Sequence, residues 1–202
     1  MRILFCKIAH MKYYKGIIKN VDEPYSKASY IQKNGQAGEE YNFDSVFDNE
    51  NEICIGYVRY GGEQIHIEKI KGCEKMKNTD SIDDILVIWF TTTKTHENIV
   101  VGWYKHATVY RRCINAFIND EEGNYDHTRE YSAKADYENC VLLPDDGTRS
   151  LWKVPYSKKD GYGFGQSHIW YAREEKAENY LKSLVERINS YNGENWVDKY
   201  PD

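Results

Sequence analysis

The chain's 202 residues fit one domain, and a formal net charge of −5 argues against broad, non-specific duplex binding, which relies on many phosphate contacts. A hydrophobic content of 41% is enough for a packed core and argues against global disorder. Cys6, Cys54, Cys73, Cys113 and Cys140 are scattered and odd in number, with no C-x-x-C pair, which argues against a zinc ribbon or a disulfide framework.

Arg2–Ala9 is almost continuously apolar and predicts a buried first strand. Its apolar run is too short for a signal peptide, and Ile85–Phe90, the longest such run, is too short to span a bilayer. The expectation is a cytoplasmic protein with free thiols and no membrane partner. His10–Gly16 combines basic and aromatic residues. Asn20–Gly38, with Pro24, Gly35 and Gly38, reads as a long loop that faces a ligand or acts as a flap. Ile53–Tyr60 alternates, Gly61-Gly62 follows, and the alternation resumes from Ile65 to Ile70, which predicts a hairpin. In Lys71–Asp84 the acids Asp80, Asp83 and Asp84 suit a helix start or a solvated loop better than a metal site.

Ile85–Phe90 and the run from Ile99 to Arg112 predict two adjacent strands around the polar loop Thr91–Asn98. Ile114–Ile118 extends the sheet, Asp120–Tyr125 turns around Gly123, and Tyr131–Asn139 suits either a short helix or a strand. Val141–Pro144 is a buried run. In Gly161–Tyr171 glycines alternate with aromatics, which disfavours a helix and suggests a backbone that approaches something closely. Apolar positions from Ala177 to Tyr191 recur by threes and fours, so a helix spans about 174–191, followed by a polar tail over 192–202. Together these elements predict a single α+β domain over 1–202. Its sheet is strongly curved and mixed or antiparallel, or closes as a small barrel, with helices outside.

No P-loop, Rossmann fingerprint, G-x-S-x-G or H-E-x-x-H occurs. Glu68-Lys69-Ile70-Lys71 has the wrong spacing for a nuclease acid–x–lysine pattern. Asp126-His127 with Asn139 starts like an HNH nuclease but lacks the second metal-binding histidine. The reading therefore carries no catalytic motif, no cofactor and no metal. What remains is aromatic and basic. On period-2 geometry Ile85, Val87 and Trp89 share a face, as do Ile99, Val101 and Trp103, so the two tryptophans are expected to meet across the strand pair. Two buried core tryptophans are the ordinary alternative. The binding reading is a pocket for a flat base, made by Trp89, Trp103, Tyr104, Tyr110 and Trp170, with Gln166, Ser167 and His168 at the base edge. Lys7, Lys12, Lys105, Arg111 and Arg112 would hold the phosphates. The pocket requires Trp103–Arg112 to meet Gly161–Tyr171. Two alternatives stay open: an enzyme on a small nucleotide-like substrate with His106 or His168 as acid/base, and a protein-interaction domain.

The run Ile85–Phe90, the loop, and Ile99-Val100-Val101-Gly102-Trp103 resemble the centre of PUA-like domains of the EVE and YTH type. Leu4-Phe5-Cys6-Lys7 is similar to their opening strand. The resemblance covers about a quarter of the chain, which is longer and more acidic than the family pattern. It implies a small barrel with outer helices that binds DNA or RNA, in several members at a modified base. Such readers often belong to modification-dependent restriction systems, which implies a bacterial defence setting.

Overall fold

The computed structural model describes residues 2–25, 38–59, 64–119 and 124–201. Among these, eight strands form one mixed sheet: β1 Arg2–Lys7, β2 Ser45–Asp48, β3 Asn51–Gly56, β4 Ser81–Thr92, β5 Asn98–Asn119, β6 Tyr125–Asp136, β7 Cys140–Leu142 and β8 Ile169–Trp170. The order is β2-β3-β6-β5-β4-β1-β8, and β7 also pairs with β5. Among these strands only β1 and β4 run parallel, with Leu4 opposite Val87; the other strand pairs are antiparallel. Two α-helices are described, α1 Ser157–Asp160 and α2 Glu178–Asn189. The fold class is α+β, as the residue patterns predict. No described helix is long and apolar enough to cross a membrane.

The sheet separates two cores. The inner one holds Leu4, Cys6, Val87, Trp89, Val101, Tyr104 and Val109. The outer one holds Phe5, Ile88, Phe90, Trp103, Trp152, Trp170 and, from α2, Leu184 and Ile188. β3 stands three places from β4 in the sheet, about 14 Å if the sheet were flat. Yet a Cβ built on Gly56 of β3 would lie 2.4 Å from Cζ2 of Trp89 on β4. The sheet therefore curls until β3 faces β4 across the inner core, and Gly56 is where the indole needs the space.

Extra residues bend the strands. Trp89 pairs with Gly102 but Phe90 with Val100, so Val101 is an added residue in β5. Further shifts fall around Asp84 and His106, which take φ of 61° and 51°. Such bulges increase local twist and re-aim side chains. The one at Val101 corrects the expectation that Val101 and Trp103 share a face. One added residue reverses the parity, so Val101 points into the inner core and Trp103 into the outer one.

The expected hairpin from Ile53 to Ile70 is also corrected. β3 pairs instead with β2, through a tight turn at Asn49 with φ of 58°, and with β6. Ile67–Lys69 is a 3-10 turn, and Ile65, Ile67 and Ile70 are all buried in the inner core. Their spacing of two and then three matches that turn, which Ile65 anchors by donating its N–H to the Arg111 carbonyl at 2.7 Å. Gly61-Gly62, Gly123 and most of the Asn20–Gly38 loop lie outside the described residues. Tyr131–Asn139 is strand as far as Asp136, then a 3-10 turn. The C-terminal helix is as expected, its first turn being 3-10 over Glu175–Ala177. The tail is not wholly polar in its setting: Trp196 and Val197 are buried, Trp196 stacking on Tyr13 at 5.5 Å.

In Gly161–Tyr171 the close backbone approach is internal. Gly163 has φ of 111°, and a Cβ on it would lie 2.2 Å from the Pro155 carbonyl oxygen. The Phe164 N–H donates to that carbonyl, and Ser157 N–H donates back to Phe164. The Arg149 side chain ties the segment around Met11 to the rest. Fully buried, it donates to the carbonyls of Leu143, Met11 and Lys12 at 2.7–2.8 Å. Asp22 closes the same loop by accepting the N–H groups of Lys12, Tyr13 and Tyr14.

Candidate functional site

The aromatic pocket expected around β4 and β5 is not formed. Trp89 and Tyr104 are wholly buried in the inner core, edge to face at 5.3 Å. Trp103 is buried on the opposite side between Trp152 and Tyr191, at 5.2 and 5.3 Å. Trp170 stacks on Phe5 at 4.5 Å, and its indole N–H points at the Glu174 carboxylate. Tyr110 packs edge to face on Tyr131. The cause is the bulge at Val101 together with strand order. β4 and β1 lie between β5 and β8, so Trp103–Arg112 and the end of Gly161–Tyr171 are joined only through intermediaries. Arg111 donates to Glu68 Oε2 at 2.8 Å, His66 Nδ1 lies 3.1 Å from Glu68 Oε1, and His66 N–H donates to the Tyr171 hydroxyl.

The expected phosphate contacts scatter for similar reasons. Arg111 is buried and already donates to Glu68 and to the carbonyls of Thr79 and Met76. Its hydrogen bond holds the Glu68 carboxyl down at about 2. Lys12 lies over the rings of Tyr13 and Trp196. Lys105 and Arg112 lie on β5, half-buried and exposed respectively. His106 sits at its bulge with Nδ1 2.8 Å from Asp84 Oδ1, both side chains in open solvent.

One part of the expected site does assemble. Lys7 ends β1 on the outer face, and its backbone N–H donates to the His168 carbonyl at 2.7 Å. The β1–β8 pairing therefore places His168 opposite Lys7, with Gln166 and Ser167 just before it in the chain. Lys7 Nζ stands 5.0 Å from the centre of the Phe164 ring. Burial lowers the Lys7 amine from its usual range. His168 is lowered too, first by burial and then by the positive charges of Lys7 and Arg59. Among the described residues no carboxylate forms an ion pair with Lys7 or His168. Gln166 and Ser167 are exposed, and Ser167 Oγ accepts the Ile169 N–H. Two basic side chains in an acidic chain, with an exposed amide and hydroxyl next to them in sequence, are suited to an anion.

Arg59, whose charge acts on both His168 and Glu39, links this basic patch to a second polar centre. Glu39 is buried and its carboxyl is pushed up to about 7 by desolvation, against hydrogen bonds from backbone N–H groups including that of Arg59. Beside it a small, shallow cleft is lined by Gly38, Tyr41, Asn42, Tyr57 and Arg129 among others. The Asn42 amide bonds both the N–H and the carbonyl of Tyr57. The Arg129 guanidinium lies 4.0 Å over the Tyr41 ring and 2.9 Å from Asp44. Asp44 also lies 3.6 Å from the sequestered Lys15 amine. Arg59, Glu39 and Arg129 escape sequence reasoning because nothing in their neighbours' pattern sets them apart from surface charge. Among the described residues no group of three or more His, Cys, Asp or Glu side chains is placed to hold a metal.

Comparison with family models, curated proteins and solved structures finds no match to this chain.

Proposed function

We propose that this chain is a nucleic-acid-binding module of the PUA-like kind that receives one nucleotide at the basic patch of Lys7, Arg59 and His168. The observation that carries this reading is that the β1–β8 pairing sets Lys7 and His168 side by side, with no ion-paired carboxylate on either among the described residues, in a chain of net charge −5. Lys7 and Arg59 act on a phosphate, and the exposed Gln166 and Ser167 supply polar contacts to a plain or modified base. A curled mixed sheet with a helix on its outer face is compatible with the PUA-like framework. The tryptophans in this reading hold the strands and take no part in the contact.

Fluorescence anisotropy with labelled single-stranded and duplex oligonucleotides, with and without modified bases, tests the proposal. Lys7→Ala is expected to weaken binding whatever the sequence and to lower the salt slope by about one, as for a lost phosphate contact. Lys12→Ala, whose amine sits over Tyr13 and Trp196, is the control. Equal affinity in Lys7→Ala, His168→Ala and the parent chain would reject the site. Glu39 favours a second reading, an enzyme on a nucleotide-like substrate, because a carboxyl held near 7 suits general acid–base work. Turnover of nucleotides that is lost in Glu39→Gln would decide for it.

A further inference from the structure

β5 outruns its neighbour. Its pairing with β4 ends at Tyr110 opposite Ser81, whereas its pairing with β6 continues through Ile114, Phe117 and Ile118 to Asn119. β3 leaves β6 at Ala133, opposite Gly56. Beyond these points β5 and β6 form a two-stranded ribbon. None of Ile114–Asn119, nor of Tyr125–Tyr131 opposite, is buried. Phe117 is 74% exposed and Tyr125 63%, their rings 6.3 Å apart on one face. Ile114 is exposed as well. On the other face Ile118, His127 and Arg129 are half-buried, toward Tyr41 and Asp44.

The outer edge of Ile114–Asn119 lacks the usual guards. It carries no charge and no proline, and among the described residues no strand pairs with it. Protein edges of this kind are normally blunted, because an apolar, uncharged strand is a template for another. We propose that this edge is the dimer interface of the chain. Two copies pair β5 antiparallel to β5, with a two-fold axis at Ala116, and join the ribbons into one four-stranded sheet.

Three observations select a second copy as the occupant. The pattern Ile114-Asn115-Ala116-Phe117-Ile118 is nearly symmetric about Ala116. Antiparallel pairing there sets Ile114 against Ile118 of the partner subunit and Asn115 against Phe117 of the partner subunit. This satisfies the self-complementarity that a two-fold interface requires. Second, a chain of net charge −5 repels its own copy over much of its surface, and Ile114–Asn119 brings no like charges together. Third, the edge is about 20 Å long, and with its side chains two copies bury on the order of 800 Å², less than a stable dimer needs and the size of a weak, transient contact. The dimer is therefore weak and concentration-dependent.

Sedimentation velocity from low to several hundred micromolar chain tests it. The expected result is a rise in weight-average mass from monomer toward dimer, lost in Phe117→Lys and Ile114→Lys, whose circular dichroism and thermal midpoints stay those of the parent. Ala116→Cys in a Cys113→Ser background should give a cross-linked dimer under mild oxidation, since a residue on the axis faces itself. A monomer throughout the range overturns the proposal and leaves the edge to a strand of another protein. A dimer that both lysine variants preserve overturns it as well, because the contact then lies elsewhere.

Discussion

Adding one methyl group at Gly56 tests the curl of the sheet. A Cβ there would stand 2.4 and 2.8 Å from Cζ2 and Cη2 of Trp89 and 3.2 Å from Cε2 of Tyr104. Neither ring has room to withdraw. Both are wholly buried, they pack edge to face, and Tyr104 is backed by Phe43 at 5.5 Å. Overpacking a filled core costs about 1–3 kcal/mol. Replacing a glycine returns about 0.4–1 kcal/mol through the unfolded chain. Gly56→Ala should therefore lose about 1–2 kcal/mol, a substantial share of a domain's stability. Urea unfolding followed by tryptophan fluorescence reads this as a lower midpoint at unchanged slope. Trp89→Phe removes the two ring carbons that the new methyl group would meet. That change is destabilising alone, but the double variant should be less damaged than the sum of the singles by about 1–2 kcal/mol. If Gly56→Ala leaves the midpoint unchanged or raises it, or if the two changes simply add, β3 does not lie over Trp89 and the inner core is wrongly drawn.

Glu39 makes stability depend on pH. Its carboxyl rises from 4.5 to about 7 on folding, so between those values the folded chain keeps a proton that the unfolded chain releases. Stability then falls as pH rises through that window, by about 3 kcal/mol in all, and Glu39→Gln should flatten the curve. A parent chain whose urea midpoint holds steady there would contradict the burial of Glu39. Trp103→Ala should cost about 3–5 kcal/mol, as for a core tryptophan, while Trp103→Phe keeps most of the packing with Trp152 and Tyr191. A folded Trp103→Ala chain of parental stability that no longer binds oligonucleotides would return this residue to a binding role.

Local pattern was enough for the long elements and not for the short ones or for their arrangement. Apolar runs placed β1, β4 and the start of β5, and the three–four spacing placed the C-terminal helix, because both signals lie within a few residues. Those signals do not report which strands are neighbours. The separation of Trp89 from Trp103 follows from one added residue at Val101, which only the pairing with β4 reveals. The Gly61-Gly62 pair suggested a turn between two strands, but the isoleucines after it are held by a contact with Arg111, far along the chain. The candidate site divides in the same way. Lys7 and Gln166–His168 stood out by residue type, and pairing of β1 with β8 brings them together. Arg59 and Glu39 join them through tertiary contacts alone. Composition and periodicity thus determine the long strands, the C-terminal helix and much of the core. The register, the faces and the company each charge keeps are set by long-range hydrogen bonds and packing, whose partners lie scores of residues apart and leave no periodic trace.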